Sequence, residues 1–419
     1  AKDSLIFASV DGNLISLNPI TGKLNWKKKY KGHKNLAKRG LVFQKIKHNS
    51  KYKDVVFVPT DNTILMVNPD DGKIIYDIGD EGKIGKNGTG LAPIIADNNI
   101  YISSGSTIES YNLENYFKNW EINLNGARVW SGFSYDRSTK SLIVTTSDPA
   151  DLIYSRTKTP DYTNSMVVID ANKGNIRCSF QDIKYDHWDL DMVGHPIVIK
   201  QKIEKDFVNT VFGLSKTGNI IATNLDNCEY LYQDSFEYKK VPQPDNSIKN
   251  VNYSDKQKFF KKPTPVSSII YDFKDYLNSV KDKDKRDYII HKTRYAKYND
   301  VYIPLSLNHD VILIGLHGGP QWPGGAFDKI NRQIIVPTNH DPWIIRVYYE
   351  NQVHRIKRGI EGIKAIDNTH ATVCRVKYMS PTVVKFSCKE FVKGLYKGDL
   401  VQTCNLGKIQ LNGKLQKRT

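Results

Sequence analysis

Leu14-Ile15-Ser16-Leu17-Asn18-Pro19-Ile20-Thr21-Gly22-Lys23 leads, three residues on, to Trp26, and the same phrase returns along the chain. Ile64 to Asn68 runs into Pro69-Asp70-Asp71-Gly72-Lys73 and ends at Tyr76. Ile108 to Asn112 closes on Trp120, and Met166 to Asp170, with Gly174, closes on Cys178. A weaker copy runs from Ile220 to Asn224 and closes on Tyr232. In each copy the closing residue lies eight positions after the Asn or Asp, and successive copies are 44 to 58 residues apart. Short apolar alternation makes a strand, Asn or Asp with Gly supplies a tight turn and its positive φ, and a second strand returns. The closing side chain can then dock between neighbouring units.

Another short strand precedes several copies, as in Leu5-Ile6-Phe7-Ala8, Val55-Val56-Phe57-Val58 and Ile100-Tyr101-Ile102. Units of this length, each of several short strands, suit the blades of a β-propeller. Almost no segment sustains a 3.6-residue period, so the fold class is all-β. About six to seven blades are recognisable. Regularity stops after Tyr232: residues 233–300 are rich in Lys, Asp, Tyr and Pro and read as a long solvated excursion between blades. Strand character resumes at Val311-Ile312-Leu313-Ile314 and Gln333-Ile334-Ile335-Val336, and Gly398 through Leu411 reads as a seventh, eroded copy. Repeats override the two or three domains that 419 residues suggest, and a single propeller domain over 1–419 is expected, divergent at 347–419.

Hydrophobic residues make up 39% and charged residues 25%, enough for a substantial core. No run approaches the ~18 apolar residues of a membrane span, and Ala1 reads as a processed or cut start. The net charge of +17 invites nucleic acid, but the lysines are scattered through nearly every loop and no nucleic-acid signature accompanies them, so none is expected as a partner. The five cysteines are Cys178, Cys228, Cys374, Cys388 and Cys404, an odd and dispersed set that favours neither zinc nor a disulfide framework.

One stretch departs from the strand pattern. Tyr185-Asp186-His187-Trp188-Asp189-Leu190-Asp191 crowds three carboxylates, an imidazole and an indole into seven residues, and Lys216 follows in Ser215-Lys216-Thr217-Gly218-Asn219. Carboxylates are costly to bury unless paired, so such a cluster is a wet loop or a site. His187 and His195 lack a Cys/His set at zinc spacing and read as structural.

Several segments carry a family resemblance. Lys38-Arg39-Gly40-Leu41, Arg128-Val129-Trp130-Ser131-Gly132, Thr146-Ser147-Asp148-Pro149, Asp186-His187-Trp188-Asp189 and the Gly-rich stretch from His317 through Trp322 to Asp328 together resemble the pyrroloquinoline quinone (PQQ)-dependent dehydrogenases, which are eight-bladed propellers. The Asp-x-Trp-Asp motif with Lys216 points to the glucose dehydrogenase-like branch. The resemblance covers roughly residues 1–345 and lapses from about Val347.

What it implies is a periplasmic oxidoreductase acting on a sugar or polyol hydroxyl. Asp189 falls at the general-base position, and Lys216 would stabilise the oxyanion of the reduced quinone. Trp130 would floor the stacked cofactor, Arg39 would bind one of its carboxylates, and Trp322 lines the substrate mouth or packs between blades. Ca²⁺ is the family's metal, with Asp148 as a ligand or cofactor contact; Glu109, a carboxylate where other copies hold Ile15, Leu65, Val167 and Ile221, is the second candidate. No C-x-x-C-H haem motif occurs, so electrons would leave to ubiquinone or a cytochrome. The rival class is a non-catalytic propeller, scaffold or pseudoenzyme, that keeps the blades but not the cofactor.

Overall fold

The computed structural model describes residues 3–345 apart from 34, 86–89, 149–160, 187, 204, 233–235, 241–255, 261–272, 299–301, 307, 315–318 and 340–341, together with five strands between 361 and 417. Residues 1–345 form one compact unit and 346–419 a second. The first unit opens with five successive antiparallel sheets. They are β1 (Leu5–Ala8), β2 (Asn13–Leu17) and β3 (Leu24–Lys29); then β4 (Val42–His48), β5 (Lys51–Pro59), β6 (Ile64–Val67) and β7 (Lys83–Ile84); then β8 (Ile94–Ala96), β9 (Asn99–Ser104), β10 (Thr107–Asn112) and β11 (Lys118–Asn123). The fourth holds β12 (Val129–Asp136), β13 (Ser141–Thr146), β14 (Ser165–Asp170) and β15 (Ile176–Gln181), and the fifth β16 (Met192–Ile203), β17 (Asp206–Ser215) and β18 (Ile220–Asn224). Each strand pairs with its neighbour in sequence, the meander of a propeller blade.

The side-chain period of two explains why these strands are apolar almost throughout. On β5, Val55 and Phe57 face the third sheet, packing with Ile100 and Ile102, while Val56 and Val58 face the first, packing with Leu14 and Trp26. On β13, Leu142 and Val144 pack with Tyr101 and Ile108 of the third sheet, and Ile143 with Met192 and Val211 of the fifth. A blade flanked on both sides has no solvent face to fill with polar residues.

The turn of each repeat closes the same way. Gly22, Gly72, Tyr116, Gly174 and Cys228 all have positive φ, and each donates its N–H to the Asn or Asp four residues earlier at 2.8–2.9 Å. Trp26 lies against Gly72 of the next blade and donates from Nε1 to the Pro69 carbonyl at 2.9 Å; Trp120 repeats the arrangement with Gly174 and the Ala171 carbonyl, also at 2.9 Å. Docking is not universal. Tyr76 and Tyr232, read as closing residues, are 67% and 50% exposed, their rings left at the surface.

The excursion after β18 is more structured than its charge suggests. A hairpin of β19 (Phe236–Lys240) and β20 (Lys256–Phe260) brings Phe236 and Phe260 onto Tyr230 and Phe180 in the core between the fourth and fifth blades. Two helices follow, α1 (Phe273–Ser279) and α2 (Lys283–Thr293), the latter capped by Asp282, whose side chain accepts from the Lys285 N–H. The purely solvated excursion is thereby corrected: Phe236 and Phe260 bury against one side of the hairpin, Phe259 and Gln257 bury on the other, and Lys239, Lys240 and Lys256 stay exposed.

Short strands complete the unit: β21 (Ala296–Lys297), β22 (Asp310–Ile314), β23 (Gly319–Pro320), β24 (Ala326–Asp328), β25 (Gln333–Ile335), β26 (Thr338–Asn339) and β27 (Pro342–Ile345). The second unit carries one sheet of β28 (Glu361–Ile366), β29 (Ala371–Ser380), β30 (Val383–Cys388), β31 (Lys408–Leu411) and β32 (Lys414–Lys417). Of the eroded copy, only β31 falls on described residues; 398–407 lie outside them. Among the described residues, no helix is long and apolar enough to cross a membrane.

The docking geometry makes a prediction. A Cβ on Gly174 would sit 2.6 Å from Trp120 Cδ2, whereas one on Gly22 would meet nothing within 4 Å, and both residues have φ near +70° (+74° and +67°). Gly22→Ala should cost ~1 kcal/mol for the left-handed backbone alone, and Gly174→Ala ~2 kcal/mol more for the displaced indole. Urea unfolding of the two variants compares them; equal losses would mean that the dock carries no stability.

Candidate active site

Blade 4 ends its outer strand at Gln181, and the chain crosses to the inner strand of blade 5 through residues 182–191. Asp186 organises that crossing. Its wholly buried carboxylate accepts from the Trp188 N–H at 2.8 Å, the Leu190 N–H at 2.7 Å and Asn164 Nδ2 at 2.9 Å. Trp188, 1% exposed, donates from Nε1 to the Ile303 carbonyl at 2.8 Å and meets Tyr302 edge-on. Gln257 of β20 accepts from the Lys184 N–H at 2.7 Å, so the excursion buttresses the loop. Held on both sides, the backbone turns left-handed at Asp189, with φ +59°, and presents its side chain, 29% exposed. His187 lies outside the described residues.

Lys216 emerges from the end of β17, 8% exposed at its side chain. Its Nζ donates to Asp191 Oδ2 at 2.8 Å and to the Asp189 carbonyl at 3.0 Å, and lies 3.3 Å from Asp189 Oδ1. Asp148, just beyond β13 of blade 4, donates its N–H to Asp191 Oδ1 at 2.6 Å. Asp148, Asp189 and Asp191 each place a carboxylate oxygen within 4.8 Å of the others. The cluster thus spans two blades.

Charge is unevenly shared in it. Burial alone would lower the Lys216 ammonium, but Asp191 and then Asp189 outweigh it and hold the ammonium above its ordinary range. Burial pushes Asp189 up to about 8; Lys216 opposes the shift, while Asp191, Asp186 and Asp148 add to it. The crowding of carboxylates around one lysine thus falls on Asp189, whose proton is held more tightly than an ordinary aspartate's.

Beside the cluster stand the aromatic residues. Lys216 Nζ lies 5.6 Å from the centroid of the Trp130 ring, and the Arg39 guanidinium lies over both Trp130 (4.6 Å) and Trp322 (5.0 Å). Among the described residues, Arg39 Nη1 and Trp130 Nε1 are buried without a hydrogen-bond partner. Burial lowers the Arg39 pKa against the pull of Asp191. A cavity of about 300 Å³ opens here, lined by Arg39, Ile94, Gly132, Phe133, His195 and Trp322 among others.

The structure therefore gathers Asp148, Asp189, Lys216, Arg39, Trp130 and Trp322 through a continuous run of contacts. Glu109 is not in that group. It lies on β10, 5% exposed, with Oε1 3.5 Å from Lys118 Nζ. Asp191, given no role by the sequence reading, is the hub of the carboxylates, and its place two residues after Asp189 was the available signal. Asp186, noticed only as part of a motif, is the brace of the loop.

Deeper in the same loop, Asp182 has an Oδ2 buried without a partner, and burial, with Asp186 adding and Ser215 opposing, raises its pKa to about 6. The folded state therefore holds this proton more tightly than the unfolded chain, whose aspartate titrates near ~3.9. Its stabilising contribution is complete below pH ~4 and is lost as pH rises through about 6. Asp182→Asn should match the parent at pH 4 and exceed it at pH 7.5, by an amount on the order of 2 kcal/mol. Parallel losses of stability with pH in the two proteins, measured by urea unfolding, would contradict this.

Comparison with known proteins agrees with this architecture. The β-propeller domain of PQQ-dependent glucose/ethanol/alcohol dehydrogenases matches residues 106–390. The chain is 23% identical to quinoprotein glucose dehydrogenase A of Acinetobacter calcoaceticus over 407 residues, covering 80% of this chain and 49% of the relative. It is 27% identical to the quinoprotein alcohol dehydrogenase PedH of Pseudomonas putida over 209 residues, covering 47% of this chain and 32% of the relative. The chain thus spans about half or less of the length of these relatives. Among solved structures, a europium-containing methanol dehydrogenase superposes with a TM-score of 0.54 at 14% identity, covering 80% of this chain and 60% of that one. Blade repeat, site loop and matched profile together show that this chain belongs to the PQQ-dependent dehydrogenase β-propeller family.

Proposed function

We propose that this protein oxidises a sugar or polyol hydroxyl with PQQ as its cofactor, using the site between blades 4 and 5. The observation that carries the proposal is the half-buried Arg39, its guanidinium over both Trp130 and Trp322 and its buried Nη1 without a hydrogen bond among the described residues, beside Lys216 and the three carboxylates. A guanidinium N–H in that state suits a further acceptor, and a planar, carboxylate-bearing cofactor supplies both the acceptor and a face to stack. Asp148, Asp189 and Asp191 bring carboxylate oxygens within 4.8 Å of one another, a donor set that suits Ca²⁺, a hard ion that takes carboxylate oxygens. The residues present fit both groups. When bound, PQQ supplies an electrophilic quinone that accepts two electrons as hydride.

The chain's own residues do the rest. Asp189, once ionised, takes the hydroxyl proton of the substrate at its carboxylate. Lys216 keeps a positive charge beside the developing oxyanion, in a site where burial makes that charge count. Arg39 and Trp130 fix the cofactor, and Trp322, 42% exposed, borders the mouth through which substrate enters. Electrons then leave to a separate carrier, ubiquinone or a cytochrome, in the periplasm.

Adding PQQ and Ca²⁺ to the purified protein should give micromolar binding, quinone absorbance and dye-linked oxidation of aldoses or polyols. No PQQ bound at these concentrations would leave a non-catalytic propeller. Asp189→Asn should keep PQQ and lose turnover by ~100-fold or more, and Arg39→Ala should weaken PQQ by ~10-fold or more.

The base works only when ionised, so kcat/KM should rise with pH. At low Ca²⁺ the limb should approach the value of about 8 at which Asp189 titrates. Saturating Ca²⁺ should move it toward acid, because the cation favours the carboxylate. A pH profile indifferent to both Asp189 and Ca²⁺ would remove Asp189 as the base.

A further inference from the structure

The repeat places two of the cysteines. Cys178 is the closing residue of blade 4, at the position of Trp26 and Trp120, and Cys228 is the fifth residue of the blade 5 turn, at the position of Gly72 and Gly174. In the other docks, the indole lies on that glycine and donates to the carbonyl of the turn's second residue, Pro69 or Ala171. Cys178 Sγ lies 3.9 Å from the equivalent carbonyl, that of Leu225, and is bonded to Cys228 across 50 residues of sequence. The turn itself is unchanged. Cys228 keeps the left-handed backbone of the glycines, with φ +58° against +69° and +74°, and the same N–H bond to the head of the turn, Asn224.

We propose that the Cys178–Cys228 disulfide is a covalent replacement for the tryptophan–glycine dock, and that it makes the blade 4–blade 5 interface dependent on thiol oxidation. Cysteine is much smaller than tryptophan and has no N–H to reach a carbonyl, so as a thiol it supplies little of the contact that holds Trp26 or Trp120. Cys228 places a side chain at a left-handed position where the docks of Trp26 and Trp120 meet glycine, and the bond is what ties that side chain to the neighbouring blade. The bond forms when the two thiols lose two protons and two electrons, which the disulfide of an oxidising dithiol protein accepts. The chain therefore matures where such oxidants operate. The interface concerned is the one spanned by Asp148 on one blade and by Asp191 and Lys216 on the other, with the loop 182–191 as its direct connection. Cys178 is partly exposed, which gives a reductant or an oxidant access to the bond, while Cys228 is 5% exposed.

The experiment compares the parent, a Cys178→Ser/Cys228→Ser variant, and a Cys178→Trp/Cys228→Gly variant that rebuilds the dock of the other blades. Peptide mapping of protein made in an oxidising compartment should recover 178 linked to 228. Reductant should lower the parent's Tm by ~5 °C or more, to that of the Ser/Ser variant. The Trp/Gly variant should lie above Ser/Ser and lose no Tm at this interface on reduction. Hydrogen exchange should localise the effect: reduction of the parent should speed exchange in 182–191 and 224–230 and leave β5, β6, β9 and β10 unchanged. These readouts require no bound cofactor. Absence of the 178–228 link, a parent Tm indifferent to reductant, exchange loosened uniformly across the blades, or a Trp/Gly variant no more stable than Ser/Ser would each overturn the proposal.

Discussion

Burial on both faces of blades 2, 3 and 4 is the constraint on which this molecule depends. A sheet with one wet face can alternate apolar and polar residues; β5 and β13 cannot, because each successive side chain meets a different neighbour. Such a stack must also hold its radial spacing, since apolar contact alone has little directionality. The closing residue of the repeat meets that need at three interfaces, twice through an indole and once through a disulfide. Rigid blades then let short connections between them carry chemistry.

The fold was legible because two independent signals coincided: strands of apolar residues, and a turn with the residue types its backbone demands. The turn chemistry held even where the residue changed, as at Tyr116 and Cys228, both left-handed without being glycine. What failed to show was docking at Tyr76 and Tyr232, where the right spacing ends in an exposed ring. Spacing fixes where the side chain starts, and the neighbour's shape decides whether it finds a slot. The hairpin formed by 236–240 and 256–260 was hidden for a different reason: Phe236, Phe259 and Phe260 are few among many lysines, so composition described its exposed side chains and concealed the buried ones.

The cysteines show how the same fact reads differently in two frames. Counted as a set, five dispersed residues predict nothing. Placed in the repeat, Cys178 and Cys228 occupy the two positions that touch in every true dock, and their pairing could have been read from that register. The site followed a similar course. Asp189 and Lys216 were recognisable as a pair, whereas the hub position of Asp191 depends on how the loop turns at Asp189, a left-handed residue set by the buried carboxylate of Asp186.

That loop explains why the site is charged as it is. Asp186 spends its lone pairs on the backbone and on Asn164, so it shapes the turn without being available to the cavity. Asp148, Asp189 and Asp191 crowd their oxygens together near Lys216, and burial, with the neighbouring carboxylates adding to it, pushes the Asp189 carboxyl up to about 8. Beyond Lys216, the Arg39 guanidinium lies over the Trp130 and Trp322 rings, with Nη1 making no hydrogen bond among the described residues. Asp191 acts on both cations, hydrogen-bonded to Lys216 and felt at a distance by Arg39, so the acidic and the aromatic parts of the site are electrostatically linked. Carboxylate oxygens thus gather on one side of Lys216, and a guanidinium bordered by aromatic rings stands on the other. No single blade supplies that set: Asp148 follows a strand of blade 4, Asp191 and Lys216 flank strands of blade 5, Arg39 lies between blades 1 and 2, and Trp322 lies among the short strands near the end of the unit, so the site exists only once the blades are packed together.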